Sequence, residues 1–334
     1  MSDKKIKAYY RVSEFQQQVL DSRNKIFEKG FDIGFSSAEQ YMNLKKKSTS
    51  YIYAAPFSGK TSLLFDIYIH IAKKYGAKIA IYSPEGGNKE AVVAYMAQVY
   101  MGKLLHGMNA QKATDKEWED ALTFIDNHFI ILSPKVVGAD AINFTAQELF
   151  KQLGEACKEY GWKLDIIMID PFTMLKKTDE ERRKSIADYV LDTLYYINHI
   201  AEAWDIHIQI AMHISDTDTI VDKATGVEYT PKPYPSRLHN GQNVWRTGQL
   251  MFGMWRLPET VIEATTGFPY PINGTDILVQ KNKIMGAGTT GKFRLFYDCD
   301  KQKFYETLNG KKYYCGEYEQ QQATPKPLIP STLF

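Results

Sequence analysis

From about residue 36 onward, short apolar runs alternate with stretches whose apolar positions recur at helical spacing. Residues 51–55 form an apolar run, a Gly/Ser turn follows, and residues 61–75 are helical in period. The run 78–83 reads as a strand, 90–101 and 114–127 as helices, and 128–133 as another strand. Thr145, Ala146, Gln147 and Glu148 make a capping box for a helix that runs to Tyr160, where Gly161 stops it. Residues 164–169 read as a strand, 185–205 as a long helix and 207–211 as a further strand. Strands alternating with helices at this spacing predict a parallel, doubly wound α/β sheet.

Beyond residue 213 the pattern becomes mostly β. The Pro-rich stretch 230–235 reads as an extended surface loop, and strands are expected near 249–255, 276–281, 291–297 and 303–306. The first 35 residues are polar and helical in pattern, with Phe15, Val19, Leu20, Ile26 and Phe27 scattered along them. They read as a linker or docking arm. The tail 316–334 is rich in Gln and Pro and is expected to be disordered. The expected organisation is an arm over 1–35, one α/β domain over 36–315 and a loose tail.

Composition narrows the classes. The chain has 334 residues, and 41 Lys and Arg against 39 Asp and Glu leave a net charge of +2. With 44% hydrophobic and 24% charged residues, a disordered or low-complexity chain is excluded. Near-neutral charge argues against a basic tail that binds nucleic acid, but not against basic residues gathered in one channel. Cys157, Cys299 and Cys315 are too scattered for a zinc module and too few for a disulfide framework, which suits a reducing compartment. No secretory signal follows Met1, and no apolar run approaches the roughly 20 residues of a membrane helix. A soluble, cytoplasmic protein with no membrane partner is expected.

The strongest chemical signal is the segment Ala54-Ala55-Pro56-Phe57-Ser58-Gly59-Lys60-Thr61-Ser62. It follows a strand and opens a helix, the context of a phosphate-binding P-loop. Ala55, Pro56, Phe57, Ser58 and Gly59 would wrap the phosphates of ATP, with Lys60, Thr61 and Ser62 at the helix start. Lys60 would reach the β- and γ-phosphates, and the Thr61 hydroxyl would hold Mg2+. The pattern's usual first glycine is here Ala54, which fits only if its φ is negative.

Hydrolysis needs more than a P-loop. Asp170 ends the strand 164–169, where a metal-holding Walker B aspartate belongs. Glu85 directly follows the strand 78–83. Carboxyl ends of parallel strands share one edge, so Glu85 and Asp170 are expected to converge on Lys60. Glu85 then suits a general base for the attacking water. His213 lies just past the strand 207–211 on the same edge and suits a reader of the γ-phosphate, although a lone histidine is more often a core residue.

The order of these motifs resembles the RecA-like ATPase domain of ring-shaped replicative DNA helicases, the DnaB and twinkle family and the helicase half of phage primase-helicases. Ser83-Pro84-Glu85, Ile169-Asp170-Pro171-Phe172, Ala211-Met212-His213 and the segment from Gly241 to Trp245 carry the resemblance. So does Val279-Gln280-Lys281-Asn282-Lys283 with Gly286, Gly288 and Gly291 after it, and the whole covers about residues 30–308. It implies a RecA-like P-loop NTPase fold with a C-terminal β-hairpin extension. It also implies a homo-hexameric helicase ring around single-stranded DNA, with ATP between subunits. For a phage-encoded chain, the setting would be the host cytoplasm.

By that resemblance, Lys281 and Lys283 are the two basic residues that reach a neighbour's γ-phosphate. The family usually has arginine at the second, and a lysine cannot make the bidentate fork, so Arg246 and Arg256 stand as alternative fingers. DNA-contacting loops are implied at 176–184 and between 214 and 245. The first has mixed charges that suit a solvated helix start; the second is long and carries Lys223, Lys232 and Arg237. No room precedes the ATPase domain for a primase core, so a separate primase is implied. The terminal Leu333-Phe334 resembles peptides that dock in sliding clamps, without their glutamine, so a clamp or loader joins the expected partners. Two other readings stand beside the helicase: a RecA-type DNA ATPase for strand exchange or loading, and a weakly hydrolysing nucleotide-binding module, which Ala54 and Lys283 favour.

Overall fold

A computed structural model describes residues 9–23, 28–104, 112–137, 140–214, 219–223, 226–238, 241–259, 261–263 and 266–318. In chain order the elements begin with α1 (Gln16–Ser22), β1 (Ser48–Ala54), α2 (Lys60–Tyr75), β2 (Ile79–Tyr82), α3 (Lys89–Met101) and α4 (Asp115–His128). Then come β3 (Phe129–Leu132), β4 (Lys135–Val137), β5 (Asp140–Ile142), α5 (Ala146–Tyr160), β6 (Ile166–Ile169), α6 (Ile186–Trp204) and β7 (His207–His213). The last third holds β8 (Ile220–Val221), β9 (Glu228–Tyr229), α7 (Gly241–Thr247), β10 (Leu250–Trp255), β11 (Gly274–Asn282), β12 (Gly291–Asp298), β13 (Lys303–Leu308) and β14 (Lys311–Tyr314).

One ten-stranded sheet organises the chain, in the order β14-β13-β12-β11-β10-β1-β7-β6-β2-β3. The six strands from β10 to β3 run parallel. Those at its centre are buried on both faces, so they read as unbroken apolar runs such as Ile166–Ile169 rather than as an alternation. Helices α2, α3 and α4 cover one face through Leu63, Phe65, Ile67, Met96, Val99 and Ile125. Helices α5, α6 and α7 cover the other through Leu149, Phe150, Leu194, Ile197 and Val244.

Strands β11 to β14 continue the sheet in antiparallel fashion, two strands beyond the expected hairpin. Ring contacts join the last three, Phe296 stacked on Tyr305 at 5.4 Å and Tyr305 tilted against Tyr314 at 5.8 Å. Arg294 on β12 is bound by Asp276 at 2.6 Å and Glu263 at 2.7 Å, which fastens the preceding loop to the extension.

The amino-terminal segment departs from the helical pattern expected of residues 1–35. Its one described α-helix is α1; residues 28–35 run without helix. Phe31 pairs with Leu44, while Ile33 and Phe35 enter the core. Asp32 explains the difference: it takes hydrogen bonds from Tyr75 and His70 and pairs with Lys74 at 2.8 Å, tying the segment to α2. Those partners hold its carboxyl well below the ordinary range despite burial. Ile26, Phe27 and residues 319–334, with Leu333 and Phe334, lie outside the described residues.

Candidate active site

β1 delivers the P-loop. Its last residue, Ala54, is buried and has no positive φ, so the missing glycine causes no strain at that position. The sharp backbone lies further on, at Phe57 (φ 57°) and Gly59 (φ 86°). At Gly59 a Cβ would also come within 3.3 Å of the Phe304 ring, so this position needs glycine twice over. Phe57 is fully exposed at the loop apex.

The register of the parallel strands assembles the rest. Ala54 pairs with His213, Ile169 with Ile210, and Tyr82 with Ile169. The loops that follow these strands therefore open on one edge. Lys60 is buried, with its ammonium 3.1 Å from the Ala55 carbonyl, 3.3 Å from that of Ala54 and 3.3 Å from His213 Nδ1. The other imidazole nitrogen, Nε2, lies 3.1 Å from Glu85 Oε2. Glu85 is presented by the turn Pro84–Gly86, between β2 and the Asn88 cap of α3.

Thr61 donates its hydroxyl to Asp170 Oδ2 at 2.7 Å. Burial raises the Asp170 carboxyl above its ordinary range, opposed by the Thr61 hydrogen bond and the charge of Lys60. Ser62 shares a hydrogen bond with the Tyr95 hydroxyl and so links the start of α2 to α3. Lys60, Thr61, Glu85, Asp170 and His213 thus come together as expected. Asp165 stays apart: it accepts the Lys78 backbone N–H at 2.8 Å and pairs with Lys46.

Lys281 and Lys283 do not join this cluster within one chain. Lys281 pairs with Met251 and Asn282 with Leu250, which in turn pairs with Ser50, near the start of β1. The P-loop begins four residues further along β1, about 13 Å away at 3.3 Å per residue. Lys281 is buried, and its ammonium donates to the Trp245 carbonyl and stands 4.8 Å from that indole ring. Burial brings it down to about 8, with the charge of Lys283 as a second cause. Lys283 is exposed.

The long connection after His213 closes on itself through the Ile214–Leu238 bridge. Within it, Lys223 is exposed just after β8, Lys232 lies 5.5 Å from the Tyr234 ring, and Arg237 is half-buried in the turn Pro235–Arg237. In the connection after β6, by contrast, charges pair locally: Arg182 with Asp179 and Lys184 with Asp192. That matches the solvated helix start expected of 176–184.

Sequence reasoning missed a cavity of about 370 Å³ between the P-loop and the end of β10. Phe57, Tyr229, Pro231, Pro233, Trp255 and Arg256 line it. The usable signal was the Trp255-Arg256 pair at a strand end, but only the sheet order puts β10 beside β1. Among the described residues no cluster of three or more His, Cys, Asp or Glu could hold a metal by themselves, and no helix is long and apolar enough to cross a membrane.

Comparison with known proteins agrees with this geometry. No curated protein sequence matches the chain. Among solved structures, a helicase ATPase domain superposes with a TM-score of 0.68 at 14% identity, covering 89% of this chain and 98% of that one. The chain in "The Structure Of A DnaB-Like Replicative Helicase And Its Interactions With Primase" superposes with a TM-score of 0.64 at 15% identity, covering 89% of this chain and 67% of that one. At such identities the likeness speaks for the fold. The model of the DnaB-like helicase C terminal domain matches residues 30–306, and the chain belongs to that family.

Proposed function

We propose that this ATP-hydrolysing replicative helicase domain works as a ring in which each nucleotide is held by one copy and completed by the next. The observation that carries the reading is the separation of Lys281 and Lys283 from Lys60. Two lysines toward the amino end of β1 cannot serve the P-loop of their own chain, but a head-to-tail neighbour can present them to it.

The residues fit a bound Mg2+: a hydroxyl and a carboxylate oxygen 2.7 Å apart, Thr61 and Asp170, make an oxygen donor pair beside the phosphate loop. Such an ion, when bound, neutralises phosphate charge. Lys60 then holds the β- and γ-phosphates, and the cavity with Phe57, Trp255 and Arg256 is large enough for the base. Glu85 takes the proton from the attacking water. His213, joined to both Lys60 and Glu85, changes partners when the γ-phosphate arrives and passes that change to the connection beginning at Ile214. Lys223, Lys232 and Arg237 on that connection contact the phosphates of single-stranded DNA. Residues before about 30 act as a docking arm, and a separate primase and a loader or clamp complete the partners.

Strand displacement on forked DNA with ATP, run beside a native mass measurement, tests the reading. ATP-dependent displacement by a multimer of the chain is the expected result. A monomer whose ATP turnover ignores DNA contradicts it.

A further inference from the structure

Trp245 has no part in the nucleotide cluster, yet it is the residue against which Lys281 rests. The indole is half in solvent, and its backbone carbonyl lies in the last turn of α7, where helix carbonyls lack partners within the helix. The Lys281 ammonium supplies that partner and sits over the ring as well. The adjoining residue on β11, Gln280, donates to the Pro233 carbonyl at 2.8 Å and accepts from the Tyr53 hydroxyl of β1. Gly253 of β10 permits this crossing, since a Cβ there would lie 2.9 Å from Pro233 and 3.1 Å from the Tyr53 ring.

Two consecutive side chains of one strand therefore grip the connection that carries Lys232 and Arg237: Gln280 at Pro233, and Lys281 at Trp245. Helix α7 is itself fixed to α6, because Asn243 donates to the Ala187 carbonyl at 2.9 Å. Any shift of this connection along the sheet must move Trp245 relative to β11, and with it the place where Lys281 is held.

We propose that Trp245 is a positioning residue for Lys281: indole and carbonyl dock the ammonium within its own chain, and displacement of the connection by DNA frees it for the neighbouring nucleotide. This rests on the reading that Lys281 serves an adjoining copy. It adds a residue through which the nucleic-acid loop of a chain governs the lysine that the same chain lends.

The test measures ATP turnover by the full chain, with and without single-stranded oligonucleotide, for the parent, Trp245→Ala, Trp245→Phe, Lys281→Ala and the double variant Trp245→Ala/Lys281→Ala. Trp245→Ala is expected to lose about ten-fold of the DNA-stimulated kcat while the KM for ATP moves less than about two-fold, a split that separates positioning from binding. Trp245→Phe keeps an aromatic face and should recover at least about half of the stimulation. In the double variant the two effects should not add, because one residue acts through the other. Full stimulation in Trp245→Ala, or additive effects in the cycle, overturns the proposal alone. Parent turnover that ignores DNA overturns the reading beneath it and the proposal together. If Trp245→Ala melts below the assay temperature, Trp245→Phe and Trp245→Tyr against Lys281→Ala decide the same question: rescue supports the proposal, and loss equal to that of Lys281→Ala in both overturns it.

Discussion

Thr61 and Asp170 stand 109 positions apart in the chain and share a hydrogen bond of 2.7 Å. The register of four parallel strands makes that contact, since β1 meets β7, β7 meets β6 and β6 meets β2. Lys60 is the other fixed point of this edge. Lys60→Ala should abolish ATP hydrolysis, because the ammonium placed to hold the β- and γ-phosphates is gone. A phosphate-release assay checks it, and turnover equal to the parent's contradicts the assignment of the loop.

Glu85 touches His213 rather than the P-loop itself. Glu85→Gln preserves that polar contact and removes the basic oxygen. The variant should bind ATP with nearly unchanged affinity and turn it over at least about 100-fold more slowly, the scale of lost general-base catalysis. Binding by fluorescent nucleotide titration, beside single-turnover hydrolysis, separates the two effects.

Asp66 is buried in α2 and accepts the Phe304 backbone N–H at 2.6 Å. Burial pushes its carboxyl up to about 7 against an ordinary 3.8, opposed by the charges of Lys303 and Lys73. The unfolded chain therefore gives up this proton at lower pH than the folded chain. Between about pH 4 and pH 7 the folded state grows less stable by this route, up to about 4 kcal/mol, and the loss is complete above pH 7. Asp66→Asn keeps an acceptor for Phe304 and removes the titration. Its Tm relative to the parent should rise between about pH 5 and about pH 7.5, across the window of that titration; a constant difference contradicts the assignment.

The near-neutral charge of +2 makes the salt dependence of DNA binding informative. If Lys223, Lys232 and Arg237 meet phosphates, each replacement by alanine should weaken single-strand binding alike across sequences. It should also flatten the log–log salt slope by about 0.7 for each phosphate no longer neutralised. Fluorescence anisotropy between roughly 50 and 200 mM salt, the range over which counterion release is felt, gives the slope directly. An unchanged slope in all three variants would place the DNA elsewhere.

Much of the site was legible in the sequence because its signals are local. Glu85, Asp170 and His213 each sit close to the end of an apolar run, and parallel strands bring such ends to one edge. What stayed hidden depends on contacts between distant segments. Ile33 and Phe35 enter the core only because Asp32 finds His70 and Lys74 on α2, which a polar helical pattern does not reveal. The cavity beside the P-loop exists because β10 lies next to β1, and strand order is not written in periodicity. The short strand β14 was passed over because so short a run carries little pattern of its own. The grip of Gln280 and Lys281 on the connection needed side-chain positions, although the sequence had already marked both Lys281 and the segment ending at Trp245.

The central claim is that a nucleotide site is shared by two copies. Mixing two inactive variants, Lys60→Ala and Lys281→Ala, tests it most directly. In a ring each interface of the right order then has an intact Lys60 on one side and an intact Lys281 on the other. Random assembly at equal amounts leaves about a quarter of interfaces complete in a head-to-tail ring. ATP turnover of the mixture should therefore rise well above that of either variant alone. Turnover that stays at the level of the separate variants, in a mixture shown by native mass spectrometry to contain both, would contradict the account.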